Sequence, residues 1–217
     1  MSFFWLCFEE VVKRLFEGAT ALIPRRGIGS KAIQFEVVGA LIAHSVLLGG
    51  PGFPYLAKWV VDYILGEEPT YLPISKEFIT LSEMTSTLLE LIGELDEAET
   101  QENSYDILES HPKSASFWEV INSSEWSCTE IINVENKGCL VHELIYNELV
   151  RRRKDQLDSL CKGLESLGFL GMLKKHHNVA IHVLSYYVLE LTAEIFSSSL
   201  KANPTTNAEK QAYQWLL

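Results

Sequence analysis

The sequence predicts an α+β fold that is predominantly helical and carries one small irregular subdomain. Three observations predict it. Apolar residues recur at three-and-four spacing along most of the chain. Clusters of glycine and proline cut that periodicity into pieces of helix length. One stretch, Tyr105 to Val134, loses the periodicity and gathers aromatic and β-branched residues instead.

A first helix is expected from about Phe4 to Phe16, ending at Gly18, where a missing side chain favours a helix stop. Pro24 to Ser30, with Arg25-Arg26-Gly27-Ile28-Gly29, is rich in breakers and reads as a basic loop. The next periodic segment starts near Ile33. Val37, Val38, Leu41, Ile42 and Val46 leave it little polar face, so burial on most sides is expected. Gly49-Gly50-Pro51-Gly52 ends it, because proline lacks the amide donor and glycine is entropically costly in a helix. Leu56, Trp59, Val60, Tyr63 and Ile64 then share one helical face up to Gly66.

Pro69 and Pro73 bracket an extended link, after which Met84, Leu88, Leu91, Ile92 and Leu95 repeat the helical spacing behind a Ser82 cap. From Glu94 to Glu102 the chain is acidic and poor in bulky apolar groups, which marks a solvated connection and a subdomain boundary. Residues 95–134 are therefore expected to form the small subdomain, with short strands around Thr129-Glu130-Ile131-Ile132. Leu140 to Leu167 reads as one long helix ending at Gly168, with Arg151-Arg152-Arg153-Lys154 at a turn that meets water. Thr192 is placed to cap a helix reaching Leu200, and Thr206-Asn207-Ala208-Glu209 has capping-box spacing for a last one. The apolar faces predict a core joining Val38, Leu41, Ile42, Trp59, Leu160, Leu164 and Leu167.

The chain has 217 residues, enough for one substantial core or two small subdomains sharing an interface. Its formal net charge of -11 repels phosphate backbones and anionic membranes, so nucleic acid is not an expected partner. Val37 to Leu48 is interrupted by His44 and Ser45 and is too short to span a bilayer. The greasy Phe3 to Phe8 stretch has no basic residue before it and Glu9-Glu10 after it, unlike a signal peptide, so an intracellular protein, cytoplasmic or nuclear, is expected. Cys7, Cys128, Cys139 and Cys161 are irregularly spaced and read as free thiols in a reducing compartment.

No motif assigns catalysis or a cofactor. In Gly29-Ser30-Lys31 the hydroxyl precedes the lysine, the reverse of a phosphate loop, and no strand leads into it. Cys139 and His142 have ligand-like spacing, but a closed zinc site needs about four ligands and no partners are spaced to join them. His176-His177 point in different directions on a helix and read as surface residues at its end. The basic run at Arg151 reads as a solvated helix face. No catalytic or metal-ligating residue is expected, and no cofactor.

Several segments in collinear order resemble the N-lobe of HECT-type ubiquitin-protein ligases, in particular the divergent mitotic-phase group. Leu15-Phe16-Glu17-Gly18 is similar to the segment after an early helix of that lobe, and Val38-Gly39-Ala40-Leu41-Ile42-Ala43 with Gly49-Gly50-Pro51-Gly52-Phe53-Pro54 to its buried helix and turn. Val134-Glu135-Asn136-Lys137 resembles the stretch before its long helix. Arg151 to Gln156 leading into Lys162-Gly163-Leu164 resembles that helix, and Leu191-Thr192-Ala193-Glu194 a later helix start.

The resemblance implies a partial HECT-like domain over residues 1–217, taking part in protein ubiquitination with a ubiquitin-conjugating enzyme and a protein substrate as partners. It implies a small subdomain that binds the conjugating enzyme, with Phe117, Trp118 and Trp126 as candidate contacts, since aromatic anchors dominate interface energetics. The alternative is that these three rings fill a small satellite core. In the family a thiolate on a separate C-lobe accepts ubiquitin as a thioester, and no segment of this sequence matches that lobe. Transfer activity is then expected only with such a lobe, and otherwise a catalytically inactive binding or scaffold module. Cys128 is not expected to replace the acceptor, because Glu125 and Glu130 disfavour a thiolate beside them.

Overall fold

The computed structural model describes residues 3–26, 31–69, 72, 83–98, 108–124, 126, 132–133 and 135–186. Helix α1 (Phe3–Leu15) turns Phe8 and Leu15 inward and pairs Glu9 with Lys13 and Glu10 with Arg14 on its wet side, at 2.8 and 3.0 Å. Such exposed pairs add only a few tenths of a kcal/mol each, roughly. A two-residue strand, β1 (Phe16–Glu17), follows directly and pairs antiparallel with β2 (Ile23–Pro24). The turn between them uses Gly18 at φ +126°, a backbone conformation open to glycine.

Helix α2 (Lys31–Leu47) ends where expected: Ser45 Oγ donates to the Pro51 carbonyl at 2.7 Å, tying the breaker segment back onto the helix. Residues 53–57 then run extended. Leu22 donates to the Tyr55 carbonyl (2.7 Å) and Ala57 to that of Leu22 (2.9 Å), while Leu56 donates to the Leu184 carbonyl (2.9 Å) and accepts from Tyr186 (2.8 Å). One extended stretch thus stitches the ribbon to the end of the described chain. Helix α3 (Lys58–Leu65) closes on Gly66 at φ +82°, whose amide, with that of Glu67, satisfies the last carbonyls.

Helices α4 (Glu83–Glu97), α5 (Ser114–Ser123), α6 (Lys137–Leu149), α7 (Lys154–Leu164), α8 (Phe169–Lys175) and α9 (His177–Leu184) follow. The protein is predominantly helical, with a two-stranded sheet among the described residues. The main core gathers Phe8, Phe16, Phe35, Phe53, Trp59, Leu160, Leu164 and Phe169 from α1, α2, α3, α7 and α8 and the segments between. Burying each such side chain favours folding by roughly 1.5–3 kcal/mol. A second cluster joins Leu88, Leu91 and Leu95 of α4, Phe117, Val120 and Ile121 of α5, and Leu140 and Leu144 of α6. It draws on residues from 88 to 144, a wider span than 95–134.

At the centre of the main core α2 and α7 cross with their backbones in contact. A methyl group on Gly39 would lie 2.3 Å from the Leu160 carbonyl oxygen, and one on Gly163 would lie 1.9 Å from that of Glu36. The two glycines are what allow the approach. Lys162 and Glu36 (2.8 Å) flank it, and Tyr63 donates to Asp158 at 2.6 Å to bring α3 alongside.

Several expectations are corrected. The long helix over 140–167 is two helices, α6 and α7, separated by a 3-10 turn at Arg151–Arg153. The reason lies in the leucine spacing: Leu140 and Leu144 serve the second cluster, Leu149 and Leu157 the first, and the steps between them break the three-and-four rhythm. Leu167 does not join the core. It sits at φ +59° before Gly168 and is 73% exposed. The acidic stretch does not begin at Glu94 as a link, since α4 continues through Glu97. Residues 114–123, inside the region expected to be irregular, are helical, and the paired strands among the described residues are Phe16–Glu17 and Ile23–Pro24. Helix α2 is not buried on most sides, because Ile33 and Val37 are 68% and 64% exposed. Ser82, residues 27–30, Cys128, Thr129 to Ile131 and the helices expected around Thr192 and Thr206 lie outside the described residues.

Candidate functional site

The second cluster positions the three aromatic candidates, and it does so differently for each. Phe117 is fully buried at the centre of the cluster, with the His111 ring stacked on it at 5.0 Å. Its ring fills the satellite core and faces no solvent. Trp118, one residue further along α5, is half-buried and donates its indole Nε1–H to the Leu108 carbonyl at 3.0 Å, an oxygen that also accepts from Ser114 Oγ at 2.6 Å. Trp126 is half-buried against the same cluster, and its backbone amide donates to Ser124 Oγ at 3.3 Å. The structure therefore brings Trp118 and Trp126 to the rim of one small core whose centre is Phe117.

The frame around them is set by polar side chains. Lys113 at the start of α5 pairs with Glu90 of α4 at 2.6 Å. Asn133 Oδ1 accepts from the amides of Glu135 and Asn136, and Asn136 Oδ1 accepts from the amide of Asn133, so the start of α6 is closed by reciprocal caps. Lys137 Nζ then reaches across to the carbonyls of Leu95 (2.7 Å) and Ala98 (2.6 Å), placing a cation on the carbonyl end of α4. Lys137 thus fixes the start of α6 on the end of α4.

Between the two clusters lies a network of buried charge that the sequence did not disclose. Glu148, 2% exposed near the end of α6, accepts from Arg26 Nη1 at 3.3 Å and from Arg152 Nη1 at 3.2 Å, with Arg26 Nη2 2.9 Å from its other carboxylate oxygen. Thr85 of α4 and Ser123 of α5 meet the same two guanidinium groups at 3.2 and 3.1 Å. Arg153 is fully buried: its Nε donates to the Pro24 carbonyl at 2.8 Å, its Nη1 to the Glu148 carbonyl and its Nη2 to Glu17 Oε1 at 2.8 Å. Burial lowers its pKa from the usual arginine value, while the hydrogen bond it donates to Glu17 opposes that fall. The water-facing reading of the run 151–154 thus holds for Lys154 and fails for Arg153, and a basic run in sequence gives no sign of which member turns inward.

No protein-family model matches the chain, and no curated protein matches it.

The thiols differ in their surroundings. Cys161 in α7 is pushed up to about 11, first by burial and then by the Asp158 charge, so it is a protonated thiol at neutral pH. Cys139 is exposed on α6 and Cys7 half-buried on α1. Among the described residues no group of three or more His, Cys, Asp or Glu side chains gathers as a metal site, and no helix is long and apolar enough to cross a membrane. His176 and His177 are exposed between α8 and α9, with His177 Nδ1 3.0 Å from a Glu67 oxygen. A cleft of about 520 Å³ beside α1, lined by Trp5, Phe8, Val12, Leu22 and Tyr55, has Glu9 and Lys13 as its charged groups, and these are paired to each other.

These thiol environments predict an order of reactivity. With iodoacetamide near neutral pH, intact protein mass spectrometry should find Cys139 alkylated while Cys161 reacts only after denaturant is added. The folded state holds the Cys161 proton more tightly than the unfolded state, so its contribution to stability falls as pH rises from the ordinary 9.0 towards 11. Cys161→Ala should flatten that part of the pH–melting profile. Equal alkylation of Cys139 and Cys161 in the folded protein would contradict both statements.

Proposed function

We propose that the chain is a HECT-like N-lobe module that binds a ubiquitin-conjugating enzyme, and that it serves protein ubiquitination, inside the cell, when a cysteine-bearing lobe completes it. The observation that carries the reading is the α4–α5–α6 satellite core with Trp118 and Trp126 on its rim. A small core of its own gives such a surface rigidity, and indoles that keep part of their area in solvent have area left to lose to a partner. The collinear family segments support it. So do the roles found for residues in three of them: Gly39 and Gly163 at the helix crossing, and Asn136-Lys137 at the α4–α6 junction.

A second reading, a HECT-derived module that binds or scaffolds without transferring ubiquitin, is favoured by the Cys161 thiol, which is half-buried against the main core with its pKa pushed up to about 11. One experiment addresses both. The purified chain is titrated against a panel of conjugating enzymes by biolayer interferometry, with Trp126→Ala and Trp118→Phe as variants. At least one conjugating enzyme should bind, and Trp126→Ala should weaken it by roughly tenfold or more, the loss expected of an interface aromatic. Trp118→Phe keeps the packing and should weaken it less. Absence of binding across the panel, or binding that Trp126→Ala leaves unchanged, would remove the proposal. A thiol-sensitive ubiquitin adduct on the chain itself would remove the scaffold reading.

A further inference from the structure

Apolar packing divides the described residues into two cores, and α6 is the helix among them that serves both. Its Leu140 and Leu144 belong to the satellite core and its Leu149 to the main one. The buried apolar residues of α4 and α5 all pack in the satellite core. Polar contacts then tie its three helices to one another. Lys113 joins α5 to Glu90 of α4, Lys137 joins α6 to the end of α4, and Asn147 Nδ2 of α6 donates to the Ser123 carbonyl of α5 at 3.3 Å. A unit that packs mostly on itself can open as one piece without unfolding what lies beside it.

The joint that fastens α4 and α5 to the rest carries charge. Arg26, just beyond β2, donates to Thr85 of α4 at 3.2 Å, and Arg152, in the turn after α6, donates to Ser123 of α5 at 3.1 Å. Both guanidinium groups also donate to one oxygen of Glu148, Oε2, at 3.3 and 3.2 Å, and Thr85 Oγ1 lies 3.5 Å from the other oxygen. Glu148 therefore holds two like charges side by side, and each of them holds one helix of the satellite core. Exposure decides that this joint is able to release. The side chains of Arg26 and Arg152 are 28% and 26% exposed, so water can replace Thr85 and Ser123 while Glu148 keeps both cations. Opening strands no buried charge. Arg153 is the contrast: its side chain is fully buried, and its acceptors, Glu17 and the carbonyls of Pro24 and Glu148, all lie outside α4 and α5, so it stays with the main core.

We infer that the satellite core is a releasable unit: it opens cooperatively while the main core stays closed, and the two guanidinium groups held on Glu148 are the latch that sets how often it does. The inference goes beyond the conjugating-enzyme reading and does not rest on it, although the unit that opens carries Trp118 and Trp126.

Native-state hydrogen exchange of the full 217-residue chain, resolved by peptide mass spectrometry, tests it. The slowest amides of α4 and α5 should share one opening and exchange roughly tenfold or more faster than those of α2 and α7. Glu148→Gln removes the charge that holds Arg26 and Arg152 together and should speed exchange in α4 and α5 by roughly another tenfold, the loss expected for hydrogen bonds to a charged group, with α2 and α7 unchanged. Thr85→Val removes a hydroxyl on the satellite side of the joint and should act in the same direction by a smaller factor. It keeps the test decisive if Glu148→Gln fails to fold, which circular dichroism would show. A single protection factor shared by α2, α4, α5 and α7 would overturn the inference. So would variants that speed all four helices alike, or that leave α4 and α5 as they were.

Discussion

Gly163→Val should cost about 3 kcal/mol or more, the upper end of what inserting methyl groups into a packed core does. The added Cβ would meet the Glu36 carbonyl at 1.9 Å and the Ala40 amide nitrogen at 2.8 Å, both backbone atoms of α2. Rotating a side chain cannot relieve such a clash, so α2 and α7 must separate and loosen Val38, Ile42, Leu160 and Leu164 around them. For a protein of this size each kcal/mol moves the melting temperature by about 2–4 °C, so a fall of about 6–12 °C is expected by scanning calorimetry. Gly93→Ala in α4, where an added methyl group meets nothing within 4 Å, should instead stabilise by about 0.5–1 kcal/mol through helix propensity. Equal and small shifts for both variants would show that the crossing does not depend on its glycines.

Arg153→Met is expected to cost about 3–5 kcal/mol, the range for breaking a buried ion pair by removing one partner. The loss is asymmetric. Methionine fills much of the volume, but Glu17 keeps its charge at 9% side-chain exposure, and the Pro24 and Glu148 carbonyls lose a donor each. Arg153→Lys should not restore stability, because one ammonium cannot reproduce a planar fork with three differently placed acceptors. Glu17→Leu added to Arg153→Met should recover part of the loss by removing the buried carboxylate that has lost its guanidinium. Urea unfolding of the two single variants and the double variant provides the cycle. A double variant as unstable as the sum of the singles would mean that Arg153 acts through its carbonyl contacts alone.

Much of the helical layout is legible in the sequence because it depends on local signals. Gly49 to Gly52 and Gly66 end α2 and α3 by backbone chemistry that needs no knowledge of the rest of the fold. Five of the seven expected core residues, Val38, Ile42, Trp59, Leu160 and Leu164, are buried in one cluster, and Leu41 packs on it half-buried. Leu167 fails because helical spacing was extended past a point where the backbone turns left-handed. The break between α6 and α7 is hidden for a related reason: a leucine pattern shows that residues are apolar, not which of two cores each one faces.

The candidate site was less legible. Phe117 and Trp118 are neighbours in sequence, yet the 100° step along α5 sends one to the core and the other to the rim, a distinction that needs the direction of the core. Glu17 and Arg26 meet Arg153 and Glu148 from a distant segment of the chain. Each alone has the composition of a surface charge, and only the converging acceptors turn them inward.

The extended stretch around Leu56 also sets an order of events in time. Its bonds to Leu22 can form once the first segments have been synthesised, but those to Leu184 and Tyr186 wait for almost all of the described chain, as does the Arg153 bond to Pro24 across 129 residues. The α4–α5–α6 cluster, built from nearer neighbours, has no such wait. Contacts distant in sequence slow folding, because the loop must be closed before the contact rewards it. During synthesis the satellite core therefore assembles while Phe16, Ile23, Phe53 and Leu56 still lack their final partners. That interval of exposed aromatic and aliphatic surface is when a chaperone has most to offer this chain.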